Sequence, residues 1–523
     1  MPHHSTNQSS RNEKFVVALE IGSANAKIGI AGFDPDDAEQ SLTVYNCTTL
    51  PTVESVRYGR IKNIREVTDT IKALVDSIQK KYPIEGRTIT GLYASVGGQS
   101  TKSHTVKANI VLPARAEITE EHIDRLRDVA VRNIPTNEEI LSIAPVSFKV
   151  DGTSTPRPVG VAGTRISAVF TAVTCNPINK NDLIDIVADR VGLHINDVYA
   201  RPLTIASMAL TPQETNAGCM LVDFGAETIT VAIYKHYGLQ YLRTIPLGSR
   251  LFTRDLATSL ALTEEEAELT KLSMANAMPE KDESSPYPEV QEKVNSIVSA
   301  RMADIIANIA AQPEFAGISE IELPSGIILT GGGAKMKNFA RLLSAHTRMK
   351  VRLATIPTHI MIADPDLSAT DMLDLIALLG VAADHARLNE DAECVSAPEA
   401  ASATADVIFT TGRDDNKEPE RDPELDARLA KHGYEPDDFH KMEKIDNPFN
   451  DETDDDYYDD NDSDVIDDDK PKRPEYRDRI KKQKEKNPDE NVEKITWGAR
   501  LKIIQSKVND YLSRNANDNS DEM

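Results

Sequence analysis

The stretches ALEIGSANAKIGI, at 18–30, and LVDFGAETITVAI, at 221–233, follow one pattern. An apolar β-type run ends in an acidic residue, a glycine follows two places later, and a short polar tip leads into a second apolar run. A chain that repeats this unit about 200 residues apart is constrained to fold as two related halves, each carrying a hairpin with similar tip chemistry. About 100 residues further on, IILTGGGAKMKNF reads as a strand, a triple-glycine turn and a helix. Glycine lets the backbone approach a bound group closely, and the exposed N–H groups of such tips hold phosphate oxygens. Glu20 and Asp223 end the two strands. They are expected to lie beside a Mg²⁺ and its waters, since that ion takes one or two carboxylates and keeps several waters. A flat group such as a purine is expected to lie against the bare backbone of Gly331, Gly332 and Gly333. Each unit alone is ordinary turn chemistry; their order and spacing carry the reading. Neither GxxxxGK[ST] nor GxGxxG occurs in the chain.

Residues 15–387 alternate strand-like and helix-like segments, which predicts an α/β fold of two halves. REVTDTIKALVDSIQKKY places Val67, Ile71, Leu74, Val75 and Ile78 on one helical face. ITEEHIDRLRDVAVRN predicts a helix with Thr119 as its N-cap. The four cysteines, Cys47, Cys175, Cys219 and Cys394, are scattered without CxxC spacing, so neither a disulfide framework nor a zinc site is expected. The start, MPHHSTNQSSRNEK, lacks the apolar core of a signal peptide, and no run approaches the roughly 18 apolar residues of a membrane span. A soluble protein of the reducing cytoplasm is expected.

The net charge of −25 is unevenly placed. Residues 388–493 hold 35 Asp/Glu and 16 Lys/Arg, a net of −19, and 446–469 hold 13 acidic residues and no basic one. Such self-repelling segments are expected to stay unfolded, as a solubilising tail or as a tether. As a flexible coil, the 106 residues would span roughly 60 Å. Beyond them the chain turns amphipathic. On a helical wheel Trp497, Leu501, Ile504, Val508, Tyr511 and Leu512 share one face, with Arg500, Lys502, Lys507 and Arg514 beside it. The segment 494–514 carries a net of +4. An apolar stripe flanked by cations suits an anionic membrane surface, and equally a groove on this protein or a partner. The tether reading favours the membrane. No nucleic-acid partner is expected.

The two hairpins and the glycine turn together resemble the actin-like ATPase superfamily. Within it, the chain is similar to the FtsA family of bacterial cell-division proteins. That resemblance rests on FVVALEIGSANAKIGI, VRYGRIKNIREVTDTIKALV, PVGVAGTRISAVFTAVTC, the Ala-Glu-x-x-Lys of AELTK, IILTGGGAKMKNF, and the terminal amphipathic segment behind a variable linker. It implies a duplicated, ribonuclease H-like fold that binds ATP and Mg²⁺ in a cleft between the halves. Glu20, Gly22, Ser23, Asn25 and Lys27 would form the first phosphate loop, and Asp223, Gly225 and Thr228 the second. Glu268 and Lys271 would contact ribose and adenine, and Gly331, Gly332, Gly333 and Ala334 would hold the adenosine. Mg²⁺ would be held through water by Glu20 and Asp223.

The resemblance also implies the domains: a first half of 14–83, 165–210 and 360–387, an inserted subdomain at 84–164, and a second half of 211–258 and 321–359. A helical subdomain would fill 259–320, with the linker at 388–493, the membrane helix at 494–514 and disordered ends at 1–13 and 515–523. Its implied role is self-association into filaments that anchor FtsZ and other divisome proteins at the septum, on the cytoplasmic side of the membrane. A small-molecule kinase or a pilus-assembly ATPase homologue is the alternative. One departure stands out. The family's second loop reads Asp-x-Gly-Gly-Gly-Thr, where this chain has Asp223-Phe224-Gly225-Ala226-Glu227-Thr228. The added bulk and charge predict weakened phosphate contact unless Glu227 points outward, and weak or no hydrolysis.

Overall fold

The computed structural model describes residues 13–82, 84, 86–278, 288–365, 367–389 and 392–396. The acidic segment beyond 396 and the amphipathic segment 494–514 lie outside the described residues.

Two sheets organise the described chain. The first has six strands in the order His194–Ala200, Gly91–Val96, Lys14–Ile21, Asn25–Phe33, Leu42–Pro51 and Ile360–Ile362. Lys14–Ile21 and Gly91–Val96 are buried at consecutive positions. Side chains alternate between faces along a strand, so consecutive burial means that both faces are covered. The covering helices include Ile64–Lys81 and Leu373–Leu388, both packed on this sheet. The first of these buries Val67, Ile71, Leu74 and Ile78, the face that its spacing predicts, and is capped by the Asn63 side chain on the Glu66 N–H. Val75 is only half-buried.

The second sheet has nine strands. Val351–Leu353, Ile327–Thr330, Cys219–Phe224, Ile229–Lys235 and Gly238–Ile245 come first. Lys102–Glu117, Ala162–Cys175, Glu139–Val150 and Thr153–Thr155 then continue it. The two groups join at the strand pair Arg243–Lys102, where the Thr244 N–H donates to the Thr101 carbonyl and the Leu242 N–H to Ser103 Oγ. The helix Glu120–Val131, capped at Thr119, packs on the second group, and Leu126, Ile166 and Phe170 lie in their shared core. Gly91–Val96, inside the span 84–164 expected for the insertion, pairs in parallel with Lys14–Ile21 in the first sheet.

Glu138 ties the base of the second group together. It accepts hydrogen bonds from Lys102 Nζ (2.7 Å), His104 Nε2 (2.7 Å) and Thr174 Oγ1 (2.5 Å). Burial opposes its charge, but Lys102, Thr174 and His104 outweigh burial and hold the carboxyl at about 2, below the ordinary 4.5. The folded value lies below the unfolded one, so the stability this group contributes is full above about pH 4.5 and is lost as pH falls through about 2. Acid titration followed by circular dichroism is expected to show a smaller loss in that window for Glu138→Gln than for the parent protein.

Candidate functional site

The two acidic hairpins have the same backbone geometry. In the first, Glu20 pairs with Lys27 and the Gly22 N–H donates to the Asn25 carbonyl at 2.9 Å. In the second, Asp223 pairs with Thr230 and the Gly225 N–H donates to the Thr228 carbonyl, also at 2.9 Å. A Cβ at Gly22 would meet Asn25 O at 3.1 Å, and one at Gly225 would meet Thr228 O at 3.1 Å. The sequence repeat is therefore a structural repeat. Asn25 and Thr228 close the equivalent turns through their carbonyls.

The carboxylates at the strand ends converge. Glu20 and Asp223 are 2% and 7% exposed. Arg201 lies between them, its Nη1 3.2 Å from Glu20 Oε1 and its Nη2 3.4 Å from Asp223 Oδ2. The same Nη2 is 3.3 Å from Asp374 Oδ2. Lys27 Nζ reaches both oxygens of Asp374, at 2.7 and 2.8 Å, and donates to the Asp371 carbonyl at 3.0 Å. Burial raises the pKa of Glu20 and of Asp223, and Arg201 offsets part of that rise. At Asp374 burial acts the same way, but Lys27 and Arg201 outweigh it and lower the value. Burial also opposes the charge on Arg201, yet Glu20, Asp223 and Asp374 raise its pKa and keep it cationic.

Neither Arg201 nor Asp374 was singled out by sequence reasoning. Arg201 is a lone charge in the apolar VYARPLTIASMAL, and Asp374 follows Asp371 at the head of the apolar run in DMLDLIALLGVAA; that is the available signal. Arg201 follows the strand His194–Ala200 and opens a helix whose next residue is Pro202, so its backbone is fixed. A Cβ at Gly97 would stand 3.5 Å from its stem.

A hydrated Mg²⁺ held by Glu20 and Asp223 does not fit this donor set, because the Arg201 guanidinium takes the place between the two carboxylates. Among the described residues no group of three His, Cys, Asp or Glu is arranged to hold a metal ion. Glu20 Oε1 and Asp223 Oδ2 stand at ion-pair distance from the Arg201 guanidinium, which donates a hydrogen bond to Asp374 Oδ2.

Glu227 does not project into a phosphate site either. Its side chain is 2% exposed, and its Oε2 accepts from the Tyr58 N–H at 2.6 Å. Its Oε1 lies 3.1 Å from Arg250 Nη1, 2.9 Å from Arg57 Nε and 3.7 Å from Arg254 Nη2. The Arg57 Nε contact is at ion-pair distance without hydrogen-bond alignment. Ser23 Oγ accepts from the Gly59 N–H at 3.0 Å. Residues 57–59 thus bind the tips of both hairpins.

The glycine turn closes on the second hairpin. A Cβ at Gly331 (φ +88°) would meet the Phe224 carbonyl at 2.4 Å and Asp223 Oδ1 at 2.6 Å. At Gly333 it would meet the Phe224 ring at 2.6 Å. Those two glycines are required by this packing. Only Gly332 faces open space, with nothing within 4 Å of such an atom, so a planar base could approach there. Ala334 is buried below it. The turn continues as a 3₁₀ segment, Gly332–Lys335, and the α-helix begins only at Phe339, after Asn338 in the left-handed region. Glu268 and Lys271 pair with each other at 2.7 Å, and Thr253 Oγ1 donates to Glu268 Oε2 at 2.5 Å. Burial lowers the Lys271 pKa.

Paired acid–glycine hairpins, a glycine turn closing on the second of them, and two sheets each anchoring one hairpin define the actin-like ATPase fold. A solved structure, the PilM-PilN type IV pilus biogenesis complex, aligns with a TM-score of 0.52 at 15% identity, over 70% of this chain and 98% of that one. The family model described as cell division protein FtsA matches residues 220–370, and that of the SHS2 domain inserted in FtsA matches 98–174. Cell division protein FtsA of Porphyromonas gingivalis is 31% identical over 367 residues, which is 67% of this chain and 75% of that protein. The Bacillus subtilis protein of the same name is 28% identical over 370 residues, or 68% of this chain and 81% of that one. The chain belongs to the FtsA family of cell-division proteins.

Proposed function

We propose that this cell-division protein binds ATP between its two hairpins, self-assembles, and anchors FtsZ filaments to the cytoplasmic face of the cell membrane at the septum. The observation that carries the nucleotide part is the repeated hairpin geometry, with Gly22 and Gly225 in the same turn and Gly332 open beside the second. An unpaired buried atom at the cleft supports it: Arg201 Nε is a donor without a hydrogen-bond partner among the described residues. A donor of that kind suits a phosphate oxygen. Gly22, Ser23, Asn25, Lys27, Gly225 and Thr228 would line the phosphates, and Gly331–Gly333 with Ala334 the adenosine. Glu268 and Lys271 would meet the ribose and adenine edge. A kinase reading needs a carboxylate free to face a substrate hydroxyl. Asp374 is instead engaged with Lys27 and Arg201, and Asp223 Oδ2 stands 3.4 Å from Arg201 Nη2.

No helix among the described residues is long and apolar enough to cross a membrane. The membrane role falls to Trp497, Leu501, Ile504, Val508, Tyr511 and Leu512, with Arg500, Lys502, Lys507 and Arg514 facing anionic headgroups. Each such cation near the surface contributes about 1 kcal/mol. Full-length protein is expected to sediment with anionic vesicles, and much less with neutral ones. A chain lacking 494–523 is expected to remain in the supernatant. Equal binding to both vesicle types, or undiminished binding after truncation, would remove the anchor from this account.

A further inference from the structure

The fold class leads one to expect a divalent ion in the cleft, and the donor set at the strand ends excludes it in the obvious place. We propose that Arg201 is the built-in cation of this cleft, and that the chain takes its nucleoside triphosphate without a divalent metal ion. The proposal rests on the nucleotide reading above and adds the ionic form of the ligand.

Four observations carry it. First, the guanidinium lies 3.2–3.4 Å from a carboxylate oxygen of Glu20, Asp223 and Asp374, which come from a strand end in each half and from the helix Leu373–Leu388. Mg²⁺ binds oxygen at about 2.0–2.1 Å, in near-octahedral geometry, and holds several waters. An ion coordinated directly between Glu20 and Asp223 would have to displace Arg201. Second, the three carboxylates already have two cations. Ionised, the cluster of Glu20, Asp223, Asp374, Arg201 and Lys27 carries one negative charge, so little uncompensated charge is left to draw in a divalent ion. Third, the Arg201 side chain is only 21% exposed, and its backbone is held by the strand before it and by Pro202 after it. Evicting it would leave a charge to be accommodated elsewhere. Fourth, its Nε has no hydrogen-bond partner among the described residues. A guanidinium is a planar fork that can hold a carboxylate on one edge and a phosphate oxygen on another. A point-charge metal would bridge carboxylates to phosphate through water; Arg201 can do so directly.

Two arms test this. In the first, ATP affinity of the full-length protein is measured by calorimetry with millimolar Mg²⁺ and again in EDTA. The two dissociation constants are expected to agree within about threefold. Tightening by Mg²⁺ of about tenfold or more would overturn the proposal. In the second, nucleotide-free protein is titrated with Mg²⁺ and with Mn²⁺ while its melting temperature is followed. The parent protein is expected not to respond. Arg201→Ala exposes Glu20, Asp223 and Asp374 to solvent ions and is expected to be stabilised by either metal, because binding to the folded state raises the midpoint. A response by the parent, or none by the variant, contradicts the proposal. If Arg201→Ala does not fold, the neutral and more nearly isosteric Arg201→Gln takes its place, and the calorimetry on the parent protein decides independently. If the parent binds no ATP in either buffer, the nucleotide reading fails, while the metal titration still decides what Arg201 replaces.

Discussion

Glu227→Ala is expected to destabilise the protein by about 3–5 kcal/mol, the range for removing one partner of a buried ion pair. Its carboxylate is the acceptor for the Tyr58 N–H and the shared counter-charge of Arg57, Arg250 and Arg254. Arg250 is 10% exposed, so the substitution strands a nearly buried cation and an unpaired backbone donor together. The cost reflects that stranding, not the net worth of the pair, which desolvation keeps small. Glu227→Gln retains an acceptor for Tyr58 but no charge, and is expected to lose less. Urea denaturation with an unchanged m-value would assign the loss to the native state. Were Glu227 instead an exposed anion repelling phosphate, its removal would leave stability unchanged and tighten nucleotide binding.

Phe224→Ala is the second large effect, at about 3–5 kcal/mol for an aromatic removed from a packed core. Phe224 is fully buried, with ring centroids 6.2 Å from Phe252 and 5.3 Å from Phe339. It is also the floor under the glycine turn, since Gly331 and Gly333 both close on it. The substitution therefore removes core packing and the support of Gly332 together. Nucleotide affinity is expected to fall even under conditions where the variant remains folded, as calorimetry below its unfolding midpoint would show. Phe252→Ala, which opens the same core without touching the turn, is the control: it should cost similar stability and much less affinity.

The hairpins were legible in the sequence because their chemistry is local. Acid, glycine and polar tip lie within six residues, and the turn they form needs no distant partner. The helix Ile64–Lys81 was legible for a related reason, since one face of a regular helix is written in its own spacing. The centre of the cleft was not. Arg201, Asp374 and Lys27 meet only after a strand end, a helix start and a hairpin are brought together across 347 positions of chain, and no spacing rule connects them. The partners of Glu227 are illegible in the sequence for the same reason. Its bulk and charge were visible beside the expected phosphates, but its three arginine partners and the Tyr58 N–H come from elsewhere in the fold. At the glycine turn the sequence indicated bare backbone; packing against Phe224 shows that two of the three glycines serve the fold and one is left open.

The central claim is that an actin-like body with a nucleotide cleft works as a membrane-bound adaptor for division filaments. A single weak amphipathic foot would hold poorly, whereas a filament of such bodies multiplies the contact by avidity. The most direct measurement is electron microscopy and co-sedimentation of the full-length protein with ATP and FtsZ on anionic vesicles. The account predicts filaments of this protein on the lipid, with FtsZ brought down only when the protein and its segment 494–514 are both present. Sedimentation of FtsZ to the same extent without this protein, or an absence of both filaments and FtsZ recruitment on anionic lipid with ATP, would contradict it.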